Sequence, residues 1–290
     1  MRKLALVGLL LPLLFVVSDA QAKKKSINTG DPLPKKAVKN NKCHDKGSVR
    51  LIGTDPSTPF AVVRKGAIES AGQACCAQWA RKGTKWKSLD AYGQIAGDAT
   101  IDGGEGYDVT QCYELSFHET NKGVGLFVDG PYKAPKSLAW TPSDGERAAL
   151  AKVVATLEHT MVPTAPYACG PKKALPLAER SLYFTTKDLD GSNSLPVKWV
   201  VVGGPLMVIA RLQADGRWIA RDVDAFATNT CQTGAYQPRA VFDLNGDGSP
   251  ELFIHQDFGD SFGDIALGLN GLGFEGRWVE VAAAVHGSTA

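Results

Sequence analysis

The sequence predicts a mainly β protein, built from antiparallel four-strand meander repeats, with one α-helix around residues 143–159. Short β-branched and aromatic runs alternate with Gly, Asn and Asp turns, as antiparallel strands require. Two C-terminal stretches repeat one order of parts. A single segment carries a helical apolar period.

The chain of 290 residues opens with Arg2 and Lys3, an uncharged, mostly apolar run from Leu4 to Val17, and small residues at Ala20-Gln21-Ala22. This order reads as a signal peptide over residues 1–22, cut near Ala22. The remaining chain, about 268 residues, is then expected outside the cytoplasm, in the periplasm or beyond the cell. A membrane-spanning helix needs roughly 20 apolar residues, and this run is shorter and followed at once by Lys23-Lys24-Lys25. No later stretch is apolar enough to stop transfer, so an integral membrane protein is not expected. No Cys stands at the cleavage point, which argues against a lipid anchor.

Residues 23–42 hold seven Lys against Asp31 alone, together with Gly30, Pro32, Pro34 and Asn40-Asn41. They can bury too little apolar area to offset the entropy of ordering, and read as a disordered basic linker. Removing residues 1–42 leaves 23 basic and 28 acidic residues, about −5, although the whole chain carries +2. A basic tail on an acidic body suits an anionic envelope surface. It gives no reason to expect nucleic acid.

An N-terminal β region is expected over 43–135. Ala77-Gln78-Trp79 followed by Gly83-Thr84-Lys85-Trp86 looks like a faint copy of the later units, and a strand candidate runs from Tyr107 through Leu115. The six cysteines are Cys43, Cys75, Cys76, Cys112, Cys169 and Cys231, an even number that implies disulfides in an exported protein. The sequence leaves their connectivity open; the positions suggest Cys169–Cys231, Cys76–Cys112 and Cys43–Cys75. There is no C-x-x-C, and His44, His118, His159, His255 and His286 are scattered, so a structural zinc site is not expected.

Residues 136–180 read as a helix and a connecting loop. Leu150, Val153, Val154 and Leu157 fall on one helical face. Thr141 or Ser143 can cap it: Ser143 with Glu146 forms a capping box, while Pro142 suits the first turn after Thr141. The apolar stripe is expected to pack on the sheets.

Two β units are expected over 181–290. The first runs Leu182-Tyr183-Phe184, Asp188-Leu189-Asp190-Gly191, Val197 to Val202, Leu206 to Leu212, then Gly216-Arg217-Trp218-Ile219. The second runs Ala240-Val241-Phe242, Asp243-Leu244-Asn245-Gly246, Glu251 to Ile254, Ile265 to Leu269, then Gly276-Arg277-Trp278-Val279. Each reads as four strands.

The sharpest chemical motif is Asp243-Leu244-Asn245-Gly246-Asp247-Gly248-Ser249-Pro250-Glu251. Oxygen-bearing side chains alternate with glycines that let the backbone wrap tightly, a pattern that can surround a hard cation. The side chains of Asp243, Asn245, Asp247 and Glu251, with the Ser249 carbonyl, are the candidate calcium ligands. An EF-hand is excluded, because its twelfth position holds Ile254 and its flanks read as strands.

This loop between two strands resembles the calcium loops of FG-GAP and VCBS repeats, as in integrin α-chain propellers and many exported bacterial proteins. The resemblance covers roughly residues 180–282. It implies a propeller-blade-like meander with a structural calcium ion, and Asp243, Asn245, Asp247 and Glu251 match the family's ligand positions. The upstream copy departs from the pattern: Asp188 and Asp190 fit, but Ser192 replaces the third acid and Pro196 the last. The length is too short for a full ring of blades.

Enzyme motifs stand beside it in the sequence. Gly259-Asp260-Ser261-Phe262-Gly263 matches the G-x-S-x-G nucleophile elbow, with Asp264 and His286 after it, but four glycines between Ile265 and Gly276 read as strand and turn rather than helix. An envelope hydrolase using Ser261 or acidic residues is therefore the alternative to a non-catalytic scaffold. Asp257, Asp260 and Asp264 are expected as solvated turn residues near the calcium loop. Of the tryptophans, 79, 86, 140, 199, 218 and 278, Trp218 and Trp278 recur at equivalent strand positions, which favours packing over sugar stacking. The partner such a scaffold binds is expected to be a protein or a glycan.

Overall fold

The computed structural model describes residues 47–53, 58–71, 82–104, 115–161, 175–187, 196–225, 235–257, 261–270 and 277–287. The expected signal peptide and basic linker, all six cysteines, Trp79 and the acidic stretch 188–195 lie outside the described residues.

Three antiparallel sheets and one helix make up the fold, and no sheet closes on itself. The first sheet contains β1 (Val49–Gly53), β2 (Thr58–Arg64), β3 (Ala67–Ser70), β4 (Lys85–Leu89), β5 (Ile95–Gly104), β6 (Leu115–Glu119) and β7 (Leu126–Asp129), in the order β3-β2-β1-β7-β4-β5-β6. It is not a four-strand copy of the later units. Leu126, Phe127 and Val128 are buried in succession, so β7 needs cover on both faces, and it pairs with β1 on one edge and β4 on the other.

The second sheet is the meander β8 (Ser181–Thr186), β9 (Val197–Val202), β10 (Leu206–Leu212) and β11 (Trp218–Ala225). The third is β12 (Ala235–Phe242), β13 (Glu251–Asp257), β14 (Ser261–Asn270) and β15 (Arg277–Gly287), in the same sequential order. These are the two repeats that the sequence shows.

Side-chain alternation decides how the sheets stack. Successive strand residues face opposite sides, so an apolar run without polar gaps needs cover on both. The third sheet has three such runs: Ala240-Val241-Phe242, Leu252-Phe253-Ile254 and Ile265-Ala266-Leu267. Ala240, Phe242, Phe253 and Ala266 meet Leu51, Phe60, Leu89 and Val128 of the first sheet. Val241, Leu252, Ile254 and Ile265 meet Phe184, Trp199, Val201 and Ile209 of the second. The layers therefore run first sheet, third sheet, second sheet, helix. The last sheet in the chain is the middle of the stack.

The helix, α1 (Asp144–Met161), begins with the reciprocal box. The Glu146 amide donates to Ser143 Oγ at 3.2 Å, and the Ser143 amide donates to a Glu146 carboxylate oxygen at 2.6 Å. Leu150 and Val154 are buried against Val200, Val202 and Val208, with Val153 and Leu157 beside them. The Trp218 indole N–H donates to the Glu146 carbonyl at 2.8 Å, fixing the first turn on β11. Arg180 holds the far end, donating to Glu158 and to the Gly203 carbonyl. Among the described residues no helix is long and apolar enough to cross a membrane.

Candidate functional site

The loop 243–251 joins β12 to β13 at one end of the middle sheet. Gly246 and Gly248 adopt φ of +80° and +90°, the left-handed turns that let the chain curl around its first carboxylate. Asp243 Oδ1 accepts the amides of Gly246 at 2.7 Å and Asp247 at 3.1 Å, and Oδ2 accepts that of Gly248 at 2.8 Å. Asn245 and Asp247 side chains bond to each other at 3.0 Å, and Asp247 Oδ1 accepts the Ser249 amide. Asp243, Asn245 and Asp247, three of the sequence-predicted ligands, thus share one tight turn.

Glu251 stands apart. It is the first residue of β13, 3% exposed, with Oε2 accepting the Leu244 amide at 2.8 Å. Burial pushes its carboxyl up to about 8, and nearby Asp247 and Asp243 add to that rise against the Leu244 hydrogen bond. A buried acid flanked by two others is held as a neutral acid unless positive charge reaches it.

A cleft of about 420 Å³ opens beside these groups. One wall is Asn245, Asp247, Ser249 and Glu251; the facing wall includes Gly66, Ala67 and Ile68 at the β2–β3 turn of the first sheet. Among the described residues no group of three or more His, Cys, Asp or Glu side chains is drawn around a common centre. The donor set nonetheless fits calcium in its chemistry: hard oxygens at alternate positions, wrapping glycines and a buried carboxyl.

The other sequence candidates fall elsewhere. Ser261 opens β14, so the residues after it form strand rather than the helix that a nucleophile elbow requires. Ser261 and Asp264 occupy strand positions of opposite parity, since the only register shift along β14 against β15 comes later, at Ala266/Leu267. His286 is in register with Phe262, and Ala284 with Asp264.

Asp264 is not the solvated turn residue that its acidic neighbourhood suggests. It lies within β14, 5% exposed, and its Oδ1 is 3.1 Å from Nδ1 of His255, which faces it on β13. Its other oxygen crowds Gly53 of β1, where a Cβ would collide with it. The sequence carried a signal for this pair: Glu251, Phe253 and His255 share one face of β13, the face toward the first sheet.

The described tryptophans pack. Trp86, Trp199, Trp218 and Trp278 are buried. Trp140 is half-buried, stacked on Trp218 with ring centroids 6.1 Å apart and edge-on to Tyr183, with the Lys198 ammonium 4.5 Å from its ring centroid. A shallow groove of about 490 Å³ beside it is lined by Pro142, Arg147, Leu177, Ser181 and Tyr183. Compared with protein-family models, curated proteins and solved structures, the chain matches none.

Proposed function

We propose that this chain is an exported, disulfide-bonded β-repeat protein, stabilised by calcium, with a non-catalytic binding or scaffold role at the cell envelope or outside the cell. The observation that carries the reading is the loop 243–251, where a carboxylate gripped by three backbone amides lies beside a buried acid, between two strands of a meander. Its residue pattern is similar to that of FG-GAP and VCBS repeats. Asp243, Asn245, Asp247 and Glu251, with the Ser249 carbonyl, hold the ion, whose charge replaces the proton that Glu251 otherwise keeps.

Stacked sheets with buried tryptophans support a rigid frame rather than an open catalytic cleft. The partner is a protein or glycan, and the Lys23–Lys42 tail adds attraction to an anionic envelope surface.

Thermal unfolding in excess calcium and in chelator tests this. At a calcium concentration of about one hundred times Kd the midpoint rises by roughly 5–10 °C. The pair Asp243→Ala with Asp247→Ala abolishes the rise. Identical midpoints in calcium and chelator overturn the reading.

The competing reading is an envelope hydrolase using Ser261 or acidic residues; the buried His255–Asp264 pair favours only its acidic form, since Ser261 and Asp264 occupy positions of opposite parity on β14. Turnover of ester or peptide substrates that is lost in Ser261→Ala would establish that reading instead.

A further inference from the structure

The loop 243–251 contains two dipeptides that can react with themselves, Asn245-Gly246 and Asp247-Gly248. In either, the glycine nitrogen can attack the preceding side chain at Cγ, and glycine has no Cβ to obstruct the approach. At Asn245 a bond forms from Gly246 N to Asn245 Cγ, the nitrogen giving up its proton to water. The Cγ–Nδ2 bond breaks, Nδ2 takes up a proton, and ammonia leaves behind a five-membered imide. Water then opens the ring at one of its two carbonyls, giving an aspartyl or an isoaspartyl residue. The isoaspartyl form lengthens the backbone by one atom. At Asp247 the same ring forms with loss of water in place of ammonia.

The folded loop withholds both partners of both reactions. One carboxylate holds the two attacking amides: Gly246 donates to Asp243 Oδ1 at 2.7 Å, and Gly248 donates to Oδ2 at 2.8 Å. Each amide must break that bond before its nitrogen can turn to a neighbour, and the adjacent negative charge opposes loss of its proton. The side chains under attack are turned forward along the chain. Asn245 Oδ1 accepts the Asp247 amide at 3.0 Å while Nδ2 donates to Asp247 Oδ2 at 3.0 Å, and Asp247 Oδ1 accepts the Ser249 amide at 2.8 Å. Gly246, Asp247 and Gly248 are exposed, so the restraint lies in these bonds and not in exclusion of water.

We propose that Asn245-Gly246 is a latent deamidation site, closed while Asp243 holds the Gly246 amide and converted irreversibly when the loop opens. The proposal does not rest on the calcium reading, because it uses only bonds within the chain. An extra backbone atom at 245 spoils the spacing that brings both glycine amides to one carboxylate. A loop that has opened for long enough is therefore marked and does not reclose.

Peptide mapping by mass spectrometry tests this, on wild-type protein held in mildly alkaline buffer with EGTA, folded or in guanidinium chloride. Amide exchange of the folded sample is followed by NMR alongside. The folded protein is expected to deamidate at Asn245 at least about tenfold more slowly than the denatured chain, with the Gly246 amide protected from exchange by a similar factor. Asp243→Asn leaves one accepting oxygen for two amides and is expected to raise the folded rate at least about threefold. Equal rates in folded and denatured chains, or a Gly246 amide that exchanges as freely as in the denatured chain, overturns the proposal without any variant. So does an Asp243→Asn protein that keeps the wild-type near-UV spectrum and the wild-type rate.

Discussion

The second and third sheets are copies in strand order and opposites in setting. Each is a sequential four-strand meander, and each ends on a strand that buries a tryptophan, Trp218 or Trp278. The second sheet turns one face to α1, a helix whose outer side is wet. The third has a sheet on either side and no face left for water. Position in the stack, more than strand pattern, therefore decides which copy can tolerate change. It also decides where a charged loop matters: the 243–251 loop opens from the sheet on which the others lean.

That contrast can be broken by substitution. Phe253 stacks on Phe242 with centroids 4.6 Å apart and meets Phe60 edge-on, at the centre of the interface between first and third sheets. Phe253→Ala should cost about 3–5 kcal/mol in urea unfolding. A cost near 1 kcal/mol would mean that the middle sheet is not the keystone.

Next comes a pH effect confined to the third sheet. Below pH 4.5 Glu251 is protonated in folded and unfolded chains alike. Between 4.5 and about 8 the unfolded chain has released that proton and the folded one still holds it, so stability in chelator falls as pH rises through this window, then levels off. The two values bound the loss at about 5 kcal/mol. Glu251→Gln should flatten the profile, and a profile shared by wild type and variant would remove Glu251 from the account.

On the second sheet, Leu150→Ala strips the helix of its most buried contact and should cost about 2 kcal/mol, less than Phe253→Ala because the helix can settle into the gap. Smallest is Ser143→Ala. It loses one half of the capping box, about 1 kcal/mol, and should lower the midpoint equally in calcium and in chelator.

The sequence made the local elements readable and hid their layering. Expected around 143–159, the helix runs 144–161, and of its two candidate caps Ser143 is the one used; a capping box depends on residues three apart, which a sequence displays. The strands of the two repeats are likewise local. The stacking order is not, because a run such as Leu252-Phe253-Ile254 states that both faces are covered without naming the covers. Nor could strand β7 be placed between β1 and β4, a pairing across some seventy-five residues of chain. At the site, the loop's oxygens were visible as a spacing. Asp264 reads as solvated from the sequence because its partner, His255, is matched to it only by the register of β13 on β14.

A stack whose middle layer comes last in chain order has a consequence for how the molecule is made. Until β12–β15 have been made, the two earlier sheets have nowhere to lay their inward apolar faces. Productive collapse must then wait for the final strands, and any stall before them leaves greasy surfaces open to self-association. A nick or truncation within the last meander would therefore scatter the whole assembly, whereas damage to the first sheet would bare only one side of what remains.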